Sequence, residues 1–296
     1  MSLDIVVKQK KLLKKKLDIG ILETICREQG LRFGVPTSLT SLDEYEGGRD
    51  IDGMTFLVYD AARIGRGFFF SLQGRTECCF SLSIPATQHD TEKMLAAVAT
   101  ACRALGTDTY VKDGEEVKNV ADIPAFAAEF QAFNASVLAN SLAEEFQLIF
   151  GAVYPIMLDA DFRAKAQAAD EGTRMQLFEA YLDERQQQDY YYARPQIYGN
   201  GQSYIAVLVV VEANPSIVPL KPFLLPDCGI PVDTEVEWAL NVVCDPGGPD
   251  QEMLHFSFEK FAEAAGLASF PRFDGFAVIV DLPREKIEQL RPFAED

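Results

Sequence analysis

The chain has 296 residues, 48% of them hydrophobic and 24% charged, with a formal net charge of −18. That is the composition of a folded globular chain, long enough to bury roughly three quarters of its unfolded surface. Its acidity argues against nucleic-acid binding, which draws its affinity from cations that replace phosphate counterions.

Leu3–Lys8 alternates apolar and polar residues and predicts a strand. Lys8, Lys10, Lys11, Lys14, Lys15 and Lys16 come next, and they read as a solvated turn. A lipid contact would need an apolar anchor beside them, and only Leu12 and Leu13 are on offer. The start resembles the n-region of a signal peptide, but Asp18, Glu23 and Arg27 interrupt the apolar stretch that a signal would need, so a cytoplasmic chain is expected. Ile19–Glu28 has helical spacing, and Gly30 is placed to end it. Residues 37–53 are polar and rich in Gly and Asp, a predicted loop.

Met54–Tyr59, Gly67–Leu72 and Glu77–Ile84 predict three strands of an antiparallel meander, with turns at 64–67 and 73–75. Asp90 is expected to cap a helix that runs to Leu105 and stops at Gly106. Thr109–Val117 predicts a strand or hairpin turning at Asp113-Gly114, and Ala121 to about Phe146 a long helix with Phe126, Phe130, Phe133 and Val137 on its buried face. Gln147–Leu158 suits a strand, and Asp161–Gln188 a helix with Met175, Phe178, Tyr181 and Leu182 inward and its acidic and amide residues outside. Strands are expected again at Asp189–Tyr198, Ser203–Glu212 and Glu235–Cys244, the first two joined at Asn200-Gly201. His255–Ala265 predicts a short helix, Phe276–Asp281 a strand, and Arg284–Leu290 a last helix led by Pro283. The longest apolar run, Tyr204–Val211, is far too short for a membrane span.

These elements make an α+β protein with largely antiparallel sheets and packed helices, in two lobes, 1–150 and 151–296, with no linker to mark the boundary. A faint internal echo could mark an ancient duplication into similar lobes, or could equally be chance, since any amphipathic strand–helix pair looks like another. Leu82 and Ile84 match Leu240 and Val242; Glu92, Met94, Val98 and Gly106 match Glu252, Leu254, Phe258 and Gly266.

Chemistry-bearing patterns are sparse. There are two histidines, His89 and His255, and no GxSxG, GxxxxGK[ST] or HExxH motif. His255 and Glu259, four apart on the expected helix, could meet at one point, though no further ligand is in sight. His89 precedes a helix start, where Asp90 would itself take the free amides. Cys78-Cys79 has no local group to lower a thiol pKa, and packing explains it. The six cysteines read as reduced thiols. Asp159 and Asp161 could hold a divalent ion, or one of them could cap a helix. Arg63, Arg66 and Arg75 flank the meander turns; they are the candidates for gripping an anion, though pairing with the surrounding Asp and Glu accounts for them more simply. Tyr190, Tyr191, Tyr192 and Arg194 form the densest polar-aromatic segment, and tyrosine and arginine are the residues of interface hot spots.

Ile64-Gly65-Arg66-Gly67, Asp113-Gly114-Glu115 and the segment from Asp189 to Pro195, with the lysine-rich start, give the chain a resemblance. It resembles an uncharacterised bacterial family of about this length, known mainly from Gram-positive and gut bacteria and catalogued as a domain of unknown function. The resemblance implies a bacterial cytoplasmic protein and no activity, cofactor or catalytic residue. From the residues themselves, a protein-interaction module with a basic partner, immunity-like in its acidity, is the expected function. A small anionic ligand at the three arginines is the alternative, and a metal-dependent hydrolase at Asp159, Asp161 or His255 comes third. No cofactor, nucleic acid or membrane span is expected, and the reading leans away from an enzyme.

Overall fold

Alternating burial along β1 (Ser2–Lys8), with Leu3, Ile5 and Val7 inside, starts the fold of a computed structural model that describes residues 1–10, 14–38, 41–114, 116–144, 148–201, 203–224, 230 and 234–295. The chain divides into two compact units, Met1–Gln187 and Gln188–Asp296. The expected division near residue 150 differs because the segments after it, up to Gln187, pack into the first unit.

In the first unit, α1 (Gly20–Gln29) ends at Gly30, as its spacing predicts. β2 (Arg32–Ser38) and β3 (Ser41–Asp43) come next, partly where a loop is expected. Gly34 and Pro36 break the strand pattern in the sequence, and the pairing itself shifts register between Pro36 and Ser38. β4 (Thr55–Tyr59), β5 (Phe68–Gln73) and β6 (Glu77–Ser83) form the meander. α2 (Gln88–Leu105) follows, then the hairpin β7 (Thr109–Lys112) and β8 (Glu116–Asn119). Among the described residues these strands make one antiparallel eight-stranded sheet, ordered β3-β2-β4-β5-β6-β1-β7-β8. Phe56, Phe68, Phe70 and Phe80 fill its inner face under α1 and α2.

α3 (Ile123–Ser141) buries Phe126, Phe130, Asn134 and Leu138. Phe133, expected inside, is 46% exposed. The stripe keeps a four-residue step because the Asn134 amide is a bidentate clamp on Ala86, accepting from its N–H and donating to its carbonyl, both at 2.8 Å. The expected strand near residues 147–158 is a hairpin, β9 (Leu148–Phe150) and β10 (Pro155–Met157). The expected helix after Asp159 is two, α4 (Ala160–Ala168) and α5 (Glu171–Gln186), each begun by an aspartate cap, Asp159 and Asp170.

The second unit holds a three-stranded sheet of β11 (Tyr191–Tyr192), β14 (Ser216–Pro219) and β17 (Ala277–Val280). Its four-stranded sheet is ordered β12 (Gln196–Gly199), β13 (Tyr204–Val211), β15 (Val236–Cys244), β16 (Glu252–Ser257). The Asn200-Gly201 hairpin joins β12 to β13 as expected. α6 (Phe258–Ala265) and α7 (Arg284–Leu290) contribute to this unit's core. His255 therefore lies in β16, ahead of the helix where the sequence puts it. The same strand disturbs the internal echo, since Glu252 and Leu254 are strand residues while Glu92 and Met94 are helical. Among the described residues no helix is long and apolar enough to cross a membrane.

Candidate functional site

Three of the lysines of the start are tied to the body: Lys8 and Lys14 lie 3.2 and 3.8 Å from Glu77, and Lys10 pairs with Asp108. Leu12 and Leu13, the expected anchor, lie outside the described residues, as do Glu115 and Cys228.

The three arginines are each held by groups of the chain itself. Arg63 reaches Glu179 at 3.0 Å and Asp183 at 2.8 Å, and the Asp183 hydrogen bond raises its pKa. Arg75 pairs with Asp50 and lies 3.6 Å from Asp52. Arg66 donates to the carbonyls of Phe150 (2.8 Å) and Pro85 (2.6 Å), and burial pulls its guanidinium down to about 10. The charge of Asp90, a residue 3% exposed, opposes that downward shift.

Asp90 is not the helix cap. Thr87 caps α2 by accepting from the Asp90 N–H at 2.9 Å, and its hydroxyl donates back to Asp90 Oδ2 at 2.7 Å, a reciprocal box three residues long. This leaves the carboxylate free to accept the N–H groups of Arg66 (2.8 Å) and Gly67 (3.0 Å). The Gly-Arg-Gly turn thus wraps a buried carboxylate. Gly67 sits at φ 65°, and a Cβ there would lie 2.5 Å from the Val58 carbonyl oxygen, so only glycine fits.

His89 Nε2 lies 3.0 Å from Asp60 Oδ2, and Lys93 is 3.2 Å from the same oxygen. Burial works against Asp60 ionising, but the Ala62 N–H, Lys93 and His89 outweigh it and hold the carboxyl below its ordinary value. Among the described residues no Ser, Thr or Cys is hydrogen-bonded to the His89 ring. The His–Asp pair belongs to a charged network fastening α5 to α2, in which the His89 N–H donates to Glu179 at 3.1 Å.

Glu179, expected outside, is 7% exposed. Burial pushes its carboxyl up, against the pull of the His89 N–H and Arg63. Such a group binds its proton more tightly in the folded chain. Its contribution to stability is therefore largest below the unfolded value of about 4.3 and declines as pH rises through the native one. Glu179→Gln does not titrate, so it is expected to gain on the wild type as pH rises from about 4 to 7. Urea midpoints of both chains across that range test this, and a gap that moves the other way contradicts it.

The tyrosine segment is half-buried. Tyr190 packs edge-on against Phe273 at 6.5 Å, Tyr191 lies against the second core, and burial pushes the Tyr192 hydroxyl well above the usual phenol value. Ala193 is in that core, and Arg194 is exposed. β11 runs parallel to β14, with the Tyr191 N–H bonded to Pro215 and that of Ala193 to Ile217.

The remaining candidates have structural partners. Asp159 accepts from the Phe162 N–H (2.6 Å) and the Tyr181 hydroxyl (2.9 Å). Asp161 is exposed in the first turn of α4. Burial raises the Cys78 and Cys79 thiols, the reverse of what a nucleophile needs. His255 Nδ1 meets Asn241 Oδ1 at 3.0 Å, while Glu259 opens the following helix. Among the described residues no three His, Cys, Asp or Glu side chains are placed to share a metal ion.

The surface that stands out is absent from the sequence candidates. In β13, Ala206, Leu208 and Val210 point into the core, and the alternate residues Ile205, Val207, Val209 and Val211 take the opposite face. A sheet with one solvated face normally alternates apolar and polar residues, and here both sets are apolar. The pairing register carries the stripe outward. Tyr198 stands beside Ile205 on β12, Ala239 beside Val207 on β15, and Val243 links Val211 to Met253 on β16. Tyr198, Ile205 and Met253 are 57%, 41% and 46% exposed. The signal is legible in the chain: Tyr204–Val211 is an unbroken apolar run in a strand whose outer face meets water.

A family model described as a domain of unknown function (DUF4299) matches residues 2–290, nearly the whole chain, and the chain belongs to that family. No curated protein matches it, and no solved structure does.

Proposed function

We propose that this member of the DUF4299 family is a protein-interaction module that binds through the outer face of the β12-β13-β15-β16 sheet. The observation that carries the reading is the valine-rich stripe of β13 with exposed Tyr198, Ile205 and Met253 around it. Contiguous apolar surface of this kind, rimmed by polar residues such as Glu237 and His255, marks association sites in soluble proteins.

The charge selects the partner. Residues 188–296 contain 17 Asp and Glu against 7 Lys and Arg, and the whole chain carries −18. That field opposes self-association and steers a basic protein toward the face. An acidic module that masks a basic partner is the immunity-like role. The five described cysteines are free thiols, which suits the reducing cytoplasm.

Ile205→Lys with Met253→Lys puts two cations on exposed positions of the stripe, where the fold tolerates them. The double variant is expected to lose about 2 kcal/mol of binding, ~30-fold in Kd. Tagged wild type and variant would be used to capture protein from host lysate at low and high salt. A basic partner that is stoichiometric with wild type, weakened by salt and lost from the variant supports the reading. Equal capture by both proteins sinks it, and so does a concentration-dependent dimer, seen by sedimentation, that the variant abolishes.

A further inference from the structure

A cavity of about 450 Å³ opens in the first unit between the start of β1, the end of β7 and α3. Small-molecule sites run to roughly 300–1,000 Å³. Phe126, Phe130 and Phe133, spaced four and three residues apart on α3, give it an aromatic wall with neighbouring ring centroids 6.1 and 6.4 Å apart. Leu3 and Ile84 also line it. Phe126 and Phe130 are nearly buried, but Phe133 is left 46% exposed at the mouth, so the wall extends beyond what the protein's own core covers.

The polar groups around this wall are unequal in charge. Lys112 stands 5.5 Å from the Phe126 ring centroid, so the wall already accommodates one ammonium. Asp113 at 3.5 Å and Glu116 at 3.8 Å neutralise that lysine. Glu129 also lines the cavity, three residues after Phe126 and four before Phe133, on the same helix face. It makes no hydrogen bond or ion pair among the described residues, and Lys118, which feels its charge, is bound to Glu116 at 2.6 Å. A phenyl face and a carboxylate without a partner both attract cations. Met1 and Ser2 complete the lining, and a carboxylate ligand would meet Asp113 and Glu129 beside a Lys112 already paired with Asp113 and Glu116.

We propose that this cavity binds a small amphipathic amine, its alkyl or aryl body against the three phenylalanines and its ammonium group at Glu129. Titration calorimetry of the full chain with octylamine, octan-1-ol and octanoate tests body and head separately. Octylamine is expected to bind about threefold tighter than octan-1-ol, with octanoate the weakest. Glu129→Gln should remove the amine's advantage and leave octan-1-ol unchanged. Phe133→Ala should weaken amine and alcohol alike, about tenfold. Both substitutions are at exposed positions, and far-UV circular dichroism verifies the fold. No binding of octylamine at millimolar concentration overturns the proposal. Octanoate or octan-1-ol binding as tightly as octylamine does the same, as does either variant binding octylamine like wild type.

Discussion

Asp90→Ala is expected to destabilise the first unit by about 2–4 kcal/mol, the cost of leaving buried hydrogen-bond donors without their acceptor. The carboxylate takes three hydrogen bonds, from the backbone of Arg66 and Gly67 and from the Thr87 hydroxyl. Removing it leaves two turn N–H groups and that hydroxyl without their acceptor. Asp90→Asn should be milder, about 2 kcal/mol, because its oxygen replaces one carboxylate oxygen but its amide would confront the N–H on the other side. Urea unfolding followed by far-UV circular dichroism at neutral pH reads both. A loss below about 1 kcal/mol for Asp90→Ala would show that the carboxylate does not organise this turn.

The same turn shows why sequence reading reaches some features and not others. The meander strands and α2 rest on local signals: alternation over Glu77–Ser83, and a stripe that Gly106 ends. Those signals need no knowledge of distant residues, and they predict these elements within a residue or two. β2 escapes because Gly34 and Pro36 occupy a strand with a register shift, where alternation is broken. His255 reads as helical because the Phe spacing of 256–261 suits a helix as well as a strand running into one.

The fate of the arginines depends on partners no local pattern can supply. Asp183, which takes Arg63, is 120 residues away, and Phe150, which takes Arg66, is 84 away. Three arginines at turns of an acidic chain read as partners of the surrounding acids or as an anion site, and the fold gives each of them oxygens of the chain itself. The apolar face of β13 is within reach of sequence reading, because an unbroken apolar strand predicts that both faces are covered.

Gln186→Ala is expected to cost about 3 kcal/mol, through unsatisfied backbone groups and not through lost apolar contact. The sequence assigns the amides of α5 to its outer face, but Gln186 is 1% exposed. Its Oε1 accepts the N–H groups of Val153 (2.7 Å) and Tyr154 (3.0 Å), and its Nε2 donates to the Tyr154 carbonyl at 2.9 Å. One side chain at the end of α5 thus supplies the hydrogen bonds that the turn between β9 and β10 cannot make for itself. Gly151 belongs to the same fit, since a Cβ there would lie 2.3 Å from Gln186 Nε2. Gln186→Glu separates this account from simple packing, because it keeps size and shape. As a carboxylate it still accepts both N–H groups, but it has no proton for the Tyr154 carbonyl and it buries a charge. Once protonated, it can donate again. Its native pKa must then stand above the unfolded value, so the deficit relative to wild type should shrink as pH falls from 7 toward 4. Urea midpoints of wild type, Gln186→Ala and Gln186→Glu at those two pH values decide it. A deficit for Gln186→Glu that stays constant with pH would mean that hydrogen bonding to Tyr154 is not what holds the turn.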